Sequence, residues 1–200
     1  MIIGIDFDNT IIKYDDVFGR IAFKKEIISD ASLKNKNDVK NFLISSGREN
    51  DWTELQGIVY GSYIMEAQPY ENFLSVLIRL ISAGHKLKII SHKTKYPFVG
   101  KRVDLQKAAM TWLKKKGVVG SECNKVSEND VFFCNTVNEK IRMLEMQKCD
   151  VFIDDLEKVL DLIDDGVKKI LFAPSLMEPK GARFKVLQNW DHVETFLNEV

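Results

Sequence analysis

The segment Asp6-Phe7-Asp8-Asn9-Thr10 puts two acids and a hydroxyl into one short stretch directly after an apolar N-terminal run. A single such side chain suffices to cap a helix, so two acids in this stretch point to chemistry. Further along, Ser91 closes the run KLKIIS, Lys140 opens a helical segment, and Asp154 with Asp155 follow the run DVFI. Carboxylates gathered at one edge of a fold repel each other, by about 4 kcal/mol for a pair 4 Å apart at an effective dielectric near 20. A hard divalent cation with oxygen ligands relieves that repulsion. Magnesium is the natural choice, held by one or two carboxylates together with water and a phosphate oxygen. With the phosphoryl oxygens neutralised, the Asp6 carboxylate can attack phosphorus and form an acyl phosphate that water then hydrolyses. Asp8 supplies the acid that protonates the leaving oxygen and the base for the attacking water. Ser91 and Lys140 would hold the transferred group, where charge spreads over its equatorial oxygens.

These groups need elements that bring them to one place. Five runs rich in Ile, Val and Phe read as buried parallel strands: residues 1–5, 86–91, 130–134, 150–153 and 168–172. Between them lie apolar positions at helical spacing: Phe73, Val76, Leu77 and Leu80; then Leu105, Ala108, Ala109 and Leu113; then Ile141, Leu144 and Met146. Alternating strand and helix predicts an α/β fold, a Rossmann-like doubly wound parallel sheet of about five strands. Ligands of such sheets collect beyond the carboxyl ends of the strands, where Asp6, Asp8, Ser91, Asp154 and Asp155 all fall. The stretch from 15 to 70 has no strand run. It reads as an inserted all-helical cap of three helices broken near Ser29 and Gly47, with apolar positions Val17, Ile21, Phe23 and Ile27, then Val39, Phe42 and Leu43, then Trp52, Leu55, Ile58, Val59 and Tyr63. Pro69 marks the return, so residues 1–14 and 71–200 form the core domain and 15–70 the cap.

In order and type these residues resemble the four signatures of the haloacid dehalogenase superfamily. The first, DxDxT after strand one, is matched by Asp6, Asp8 and Thr10; the second, a Ser or Thr ending strand two, by Ser91. The third, a Lys ahead of strand four, is best matched by Lys140, with Lys101 the weaker candidate; the fourth, a pair of acids, by Asp154 and Asp155. The resemblance covers residues 1–10 and roughly 75–175. It implies strand one at the centre of the sheet, a helical cap after the first motif and a phosphoaspartate intermediate. It also implies magnesium on the Asp6 carboxylate, the Asp8 backbone carbonyl and Asp155, with Asp154 in support. Family members that keep the second Asp are mostly phosphatases, so Asp8 argues against dehalogenation. Glu157 and Asp161 are the next acids along, at a less regular spacing than the family's third acid.

The balance of 29 basic against 29 acidic residues excludes the broad positive field that non-specific nucleic-acid binding needs. Lys114, Lys115 and Lys116 before Gly117 read as a solvated helix end. The three widely spaced cysteines indicate neither a disulfide framework nor a zinc knuckle, and with no signal peptide the expected setting is the cytoplasm. No stretch approaches the roughly twenty apolar residues that span a bilayer, so no membrane is expected. His92, Lys93 and Lys95 either contact an anionic substrate or are solvated; His92 is taken as a phosphate contact beside Ser91 and Lys140. His85 and His192 read as surface or core-edge residues. Arg48, Trp52, Tyr60 and Tyr63 either line a pocket or build the helical core. The expected partner is a small phosphate ester of the sugar-phosphate or nucleotide class. A phosphotransferase with the same intermediate, and a catalytically silent binding module, are the alternatives.

Overall fold

Short runs of β-branched and aromatic residues with no polar face are stable only as strands covered on both sides. The computed structural model, which describes residues 1–175 and 183–199, forms them where expected. In chain order the elements are β1 (Ile2–Ile5), β2 (Ile12–Lys13), α1 (Asp15–Lys24), α2 (Lys36–Ser45), α3 (Glu49–Tyr60), β3 (Gln68–Pro69), α4 (Phe73–Ser82), β4 (Lys86–His92) and α5 (Leu105–Lys115). There follow β5 (Val131–Cys134), α6 (Val137–Met146), β6 (Val151–Asp154), α7 (Glu157–Leu160), β7 (Lys168–Phe172), β8 (Lys185–Leu187) and α8 (Trp190–Glu199).

Six strands make one sheet in the order β5-β4-β1-β6-β7-β8, with every pairing parallel. This is the doubly wound, Rossmann-like α/β fold with β1 inside the sheet. The sixth strand, β8, is an addition to the five read from sequence. The chain divides into two compact units: Met1–Ile12, Pro69–Lys93 and Lys114–Val200 in the first, Lys13–Gln68 and Thr94–Leu113 in the second.

In the first unit, alternation along each strand sends successive side chains to opposite faces. Ile90, Phe152 and Leu171 meet Leu144, Val159 and Leu160 of α6 and α7 on one face. Phe172, one residue past Leu171, turns the other way and packs on Trp190, which also meets Phe73. The absence of a side chain at Gly4 lets β1 lie against Phe152: a Cβ there falls 2.7 Å from the Phe152 ring.

In the second unit α1, α2 and α3 pack around Tyr14, Phe18, Trp52 and Tyr60. Phe18 lies 5.2 Å from Trp52 and 5.6 Å from Tyr60 between ring centroids, and Tyr14 lies 5.0 Å from Tyr60. Gly19 lies under the 33–34 segment, whose carbonyl oxygens stand 2.3 Å from where a Cβ falls, and its N–H donates to the Lys34 carbonyl. The stretch 94–113 belongs to this unit through Pro97, packed over Gly57, and through Trp112, whose Nε1–H donates to the Ala67 carbonyl at 3.0 Å.

Three apolar residues placed in helical stripes by their spacing are exposed instead: Phe23, Phe42 and Met146. Phe23 follows Ile21 by two residues and Met146 follows Leu144 by two, a step of about 200° that leaves the buried face. Phe42 sits at the margin of the stripe formed by Val39 and Leu43, both fully buried.

Candidate active site

The register of the sheet brings the candidate groups of the first unit level with each other. Ile5 pairs with Ile89 of β4 and Ile153 of β6, so Asp6 leaves β1 beside Asp154, and Ser91 lies two residues beyond Ile89. Asp6 follows Gly4 by two and Asp154 follows Phe152 by two, so both carboxylates face the side covered by α6. Lys140 comes from that side, on the first turn of α6. The helix starts where it does because Thr136 caps it, its hydroxyl accepting from the Glu139 N–H, while the Glu139 carboxylate accepts from the Asn135 N–H at 2.8 Å.

The Lys140 ammonium donates to Asp6 Oδ1 at 2.6 Å and to Asp154 Oδ2 at 2.5 Å. All three side chains are buried. Burial pushes the Asp6 carboxyl up to about 6; Lys140 opposes that rise, and the Asp154 and Asp8 charges add to it. Burial works against the Lys140 charge, yet Asp6 and Asp154 together outweigh it and hold the ammonium above its ordinary range. Asp154 is further fixed by the Leu156 N–H, which donates to Oδ1 at 2.9 Å.

The loop after β1 is closed on itself. The Phe7 carbonyl accepts from the N–H groups of Ile11 and Ile12, and the Asn9 N–H donates to the Ile12 carbonyl. Asn9 takes a left-handed backbone, φ 57°, which Asn tolerates better than most residues. Its amide then reaches Asp155 Oδ2 at 3.3 Å. One oxygen from each of Asp6, Asp154 and Asp155 lies within 4.8 Å of the others, so these three can hold a cation. Ser91 Oγ and Thr10 Oγ1 are buried with no hydrogen-bond partner among the described residues.

The structure therefore groups Asp6, Lys140, Asp154 and Asp155, with Ser91 at the level of the strand ends. Asp8 stands in the same loop and pairs with Lys93, whose ammonium lies 2.7 Å from Asp8 Oδ2. Lys101 is exposed and belongs to the second unit. His92 is exposed, its Nε2 lying 3.2 Å from the Asn135 carbonyl. Trp52 and Tyr60 are packed among the helices of the second unit, and Arg48 pairs with Asp51. Asp161 pairs with Arg183. Sequence reading left Lys93 either a contact to an anionic substrate or a solvated loop cation; its side chain is buried against Asp8. Its place two residues after Ser91, on the same side by alternation, was the available signal.

Fold and site together define a doubly wound, parallel α/β core with an acidic cluster at its strand ends. No protein-family model matches the sequence, and no curated protein matches it either. Solved structures do share the fold. A haloacid dehalogenase-family hydrolase from Deinococcus radiodurans, crystallised with phosphate and sodium, superposes with a TM-score of 0.59 at 12% identity, covering 99% of this chain and 95% of that one. A phosphoserine phosphohydrolase-like protein from Francisella tularensis gives 0.57 at 14% identity, covering 98% and 99%. A dehalogenase gives 0.53 at 11% identity, covering 98% and 96%. The fold is thus that of the haloacid dehalogenase-like hydrolases over nearly the whole chain.

Proposed function

We propose that this chain belongs to the phosphatase branch of that superfamily and hydrolyses a small phosphate monoester, of sugar-phosphate or nucleotide class, through a phosphoaspartate on Asp6 with magnesium bound. The observation that carries the reading is the buried pair Asp6 and Asp154 bridged by Lys140, with an Asp155 oxygen near enough to share a cation. Carboxylate oxygens are the hard donors that magnesium takes. The buried, unpartnered Ser91 hydroxyl fits a site meant for a phosphoryl oxygen. In this proposal Asp6, Asp155 and the Asp8 backbone carbonyl hold the metal and Asp154 supports them. When bound, magnesium supplies countercharge for the phosphoryl oxygens.

Asp6 must attack in its ionised form, which the Lys140 ammonium at 2.6 Å favours against burial. Lys140 and Ser91 orient the transferred group, and Asp8 exchanges a proton first with the leaving oxygen and then with water. The insertion from 15 to 70, read as a cap, is assigned to choosing the alcohol portion of the substrate. No described helix is long and apolar enough to cross a membrane, and the three free cysteines suit a reducing cytoplasm.

The purified protein should release phosphate from para-nitrophenyl phosphate with magnesium and stop when the metal is chelated. Asp6→Asn should lower kcat by about a thousandfold or more, the scale at which a nucleophile's loss is felt. Absence of release from this ester and from a panel of sugar phosphates and nucleotides overturns the reading.

A further inference from the structure

Among the described residues, Lys93 is the one buried cation that the chemistry above leaves without a task. It follows the last residue of β4, and its backbone N–H donates to the Cys134 carbonyl at 2.8 Å, which carries the pairing of β4 with β5 one step past the strand. The side chain is 2% exposed, and its ammonium meets both oxygens of Asp8, Oδ2 at 2.7 Å and Oδ1 at 3.1 Å. The same ammonium lies over the Phe7 ring, 5.4 Å from the centroid, and Phe7 is itself fixed edge-on against Phe133. A charge so enclosed is not placed to recruit a substrate anion from solvent, which disposes of the solvated reading and of the substrate-contact reading alike. Asp8, at 20% side-chain exposure, could otherwise turn toward water.

We propose that Lys93 is a positioning residue that locks the Asp8 carboxyl in the orientation from which it exchanges protons with the reacting oxygens; this rests on the phosphohydrolase reading. In the first half-reaction an Asp6 oxygen bonds to phosphorus while the bond from phosphorus to the ester oxygen breaks. The electron pair stays on the ester oxygen, which takes the proton of the Asp8 carboxyl and departs as the alcohol. In the second half, water attacks phosphorus, gives its proton to the Asp8 carboxylate, and the bond from Asp6 to phosphorus breaks. Both transfers need the Asp8 oxygens at hydrogen-bond reach of the reacting atom. Two donors' worth of contact from one ammonium, set on a rigid Phe7 and a strand end, fixes where those oxygens stand.

The test varies how much the leaving oxygen needs its proton while keeping the substrate's shape. Lys93→Met should lower kcat by about threefold on para-nitrophenyl phosphate, whose phenolate leaves readily, and by about thirtyfold or more on phenyl phosphate, with KM changed little on both. In an Asp8→Asn background, adding Lys93→Met should cost nothing further on phenyl phosphate, because the group it positions has lost its proton. A thermal melt of each variant reports folding separately. Equal losses on the two esters, a gain on phenyl phosphate relative to the nitrophenyl ester, or an undiminished effect of Lys93→Met in the Asp8→Asn background each overturns the assignment of Lys93. Wild-type turnover abolished by Asp6→Asn shows that the phosphatase reading stands when the Lys93 assignment falls. Absence of wild-type turnover overturns both.

Discussion

Asp6 is held by opposed forces, and their balance sets a pH dependence. Its carboxyl, nearly inaccessible to water, is shifted from the ordinary 3.8 up to about 6 by burial, with Lys140 pulling the other way. A carboxyl whose folded-state value is raised binds its proton more tightly in the folded protein than in the unfolded chain. Its contribution to stability is fully present below 3.8 and is lost as the pH rises through about 6. Without metal, the window is worth on the order of 3 kcal/mol. Urea denaturation of the chelated protein between pH 4 and 7 should therefore show stability falling with pH through this group, and that part of the slope should vanish in Asp6→Asn. An unchanged slope in the variant would mean that Asp6 is ionised at its ordinary value and that Lys140 wins over burial. At this scale much of the candidate site was legible in the sequence. Two acids after an apolar strand have few structural uses, so Asp6 and Asp8 stand out. The pairing of Lys93 with Asp8 was not legible, because a lysine in SHKTKYP reads equally as a substrate contact or a solvated cation until the strand end beneath it is known.

At the scale of elements, the site depends on where α6 begins. Lys140 reaches Asp6 and Asp154 because Thr136 caps the helix and sets the phase of its first turn. Removing the cap in Thr136→Ala should cost about 1 kcal/mol in urea denaturation. It should also lower kcat more than that loss explains at conditions where the protein stays folded, since a fraying first turn moves the ammonium away from its two carboxylates. Unchanged kcat alongside the lost stability would show that the strands alone hold Lys140 in place. The strands were legible because short runs dense in isoleucine, such as IIGI in β1 and the buried Ile89 and Ile90 of β4, have little use outside a covered sheet. The short β8 was not, since Lys185–Leu187 gives a three-residue run with a lysine in it, below any window in which a period can be read. Trp190, Val193 and Leu197 of α8 are buried at helical spacing, a stripe the sequence reading did not single out.

Across the first unit, the end of the chain is fastened to its beginning. Trp190 at the start of α8 is buried between Phe73 and Phe172, and its Nε1–H donates to the Thr10 carbonyl at 3.2 Å. The last helix thus holds the loop that carries Asp6 and Asp8, through a bond between residues 180 positions apart. Sequence alone cannot show this, because the contact depends on two faces of a completed sheet. Two substitutions separate its parts. Trp190→Phe keeps a ring against Phe73 and Phe172 but removes the donor, leaving a buried carbonyl unpaired at a cost of about 1–3 kcal/mol. Trp190→Ala also opens a cavity and should cost about 3–5 kcal/mol. If the hydrogen bond orders the loop, Trp190→Phe will lower kcat for the aryl phosphates at a temperature where circular dichroism shows it fully folded. If kcat holds while stability falls, the tryptophan serves packing alone, and the closed turn around Phe7 is sufficient to place the two acids.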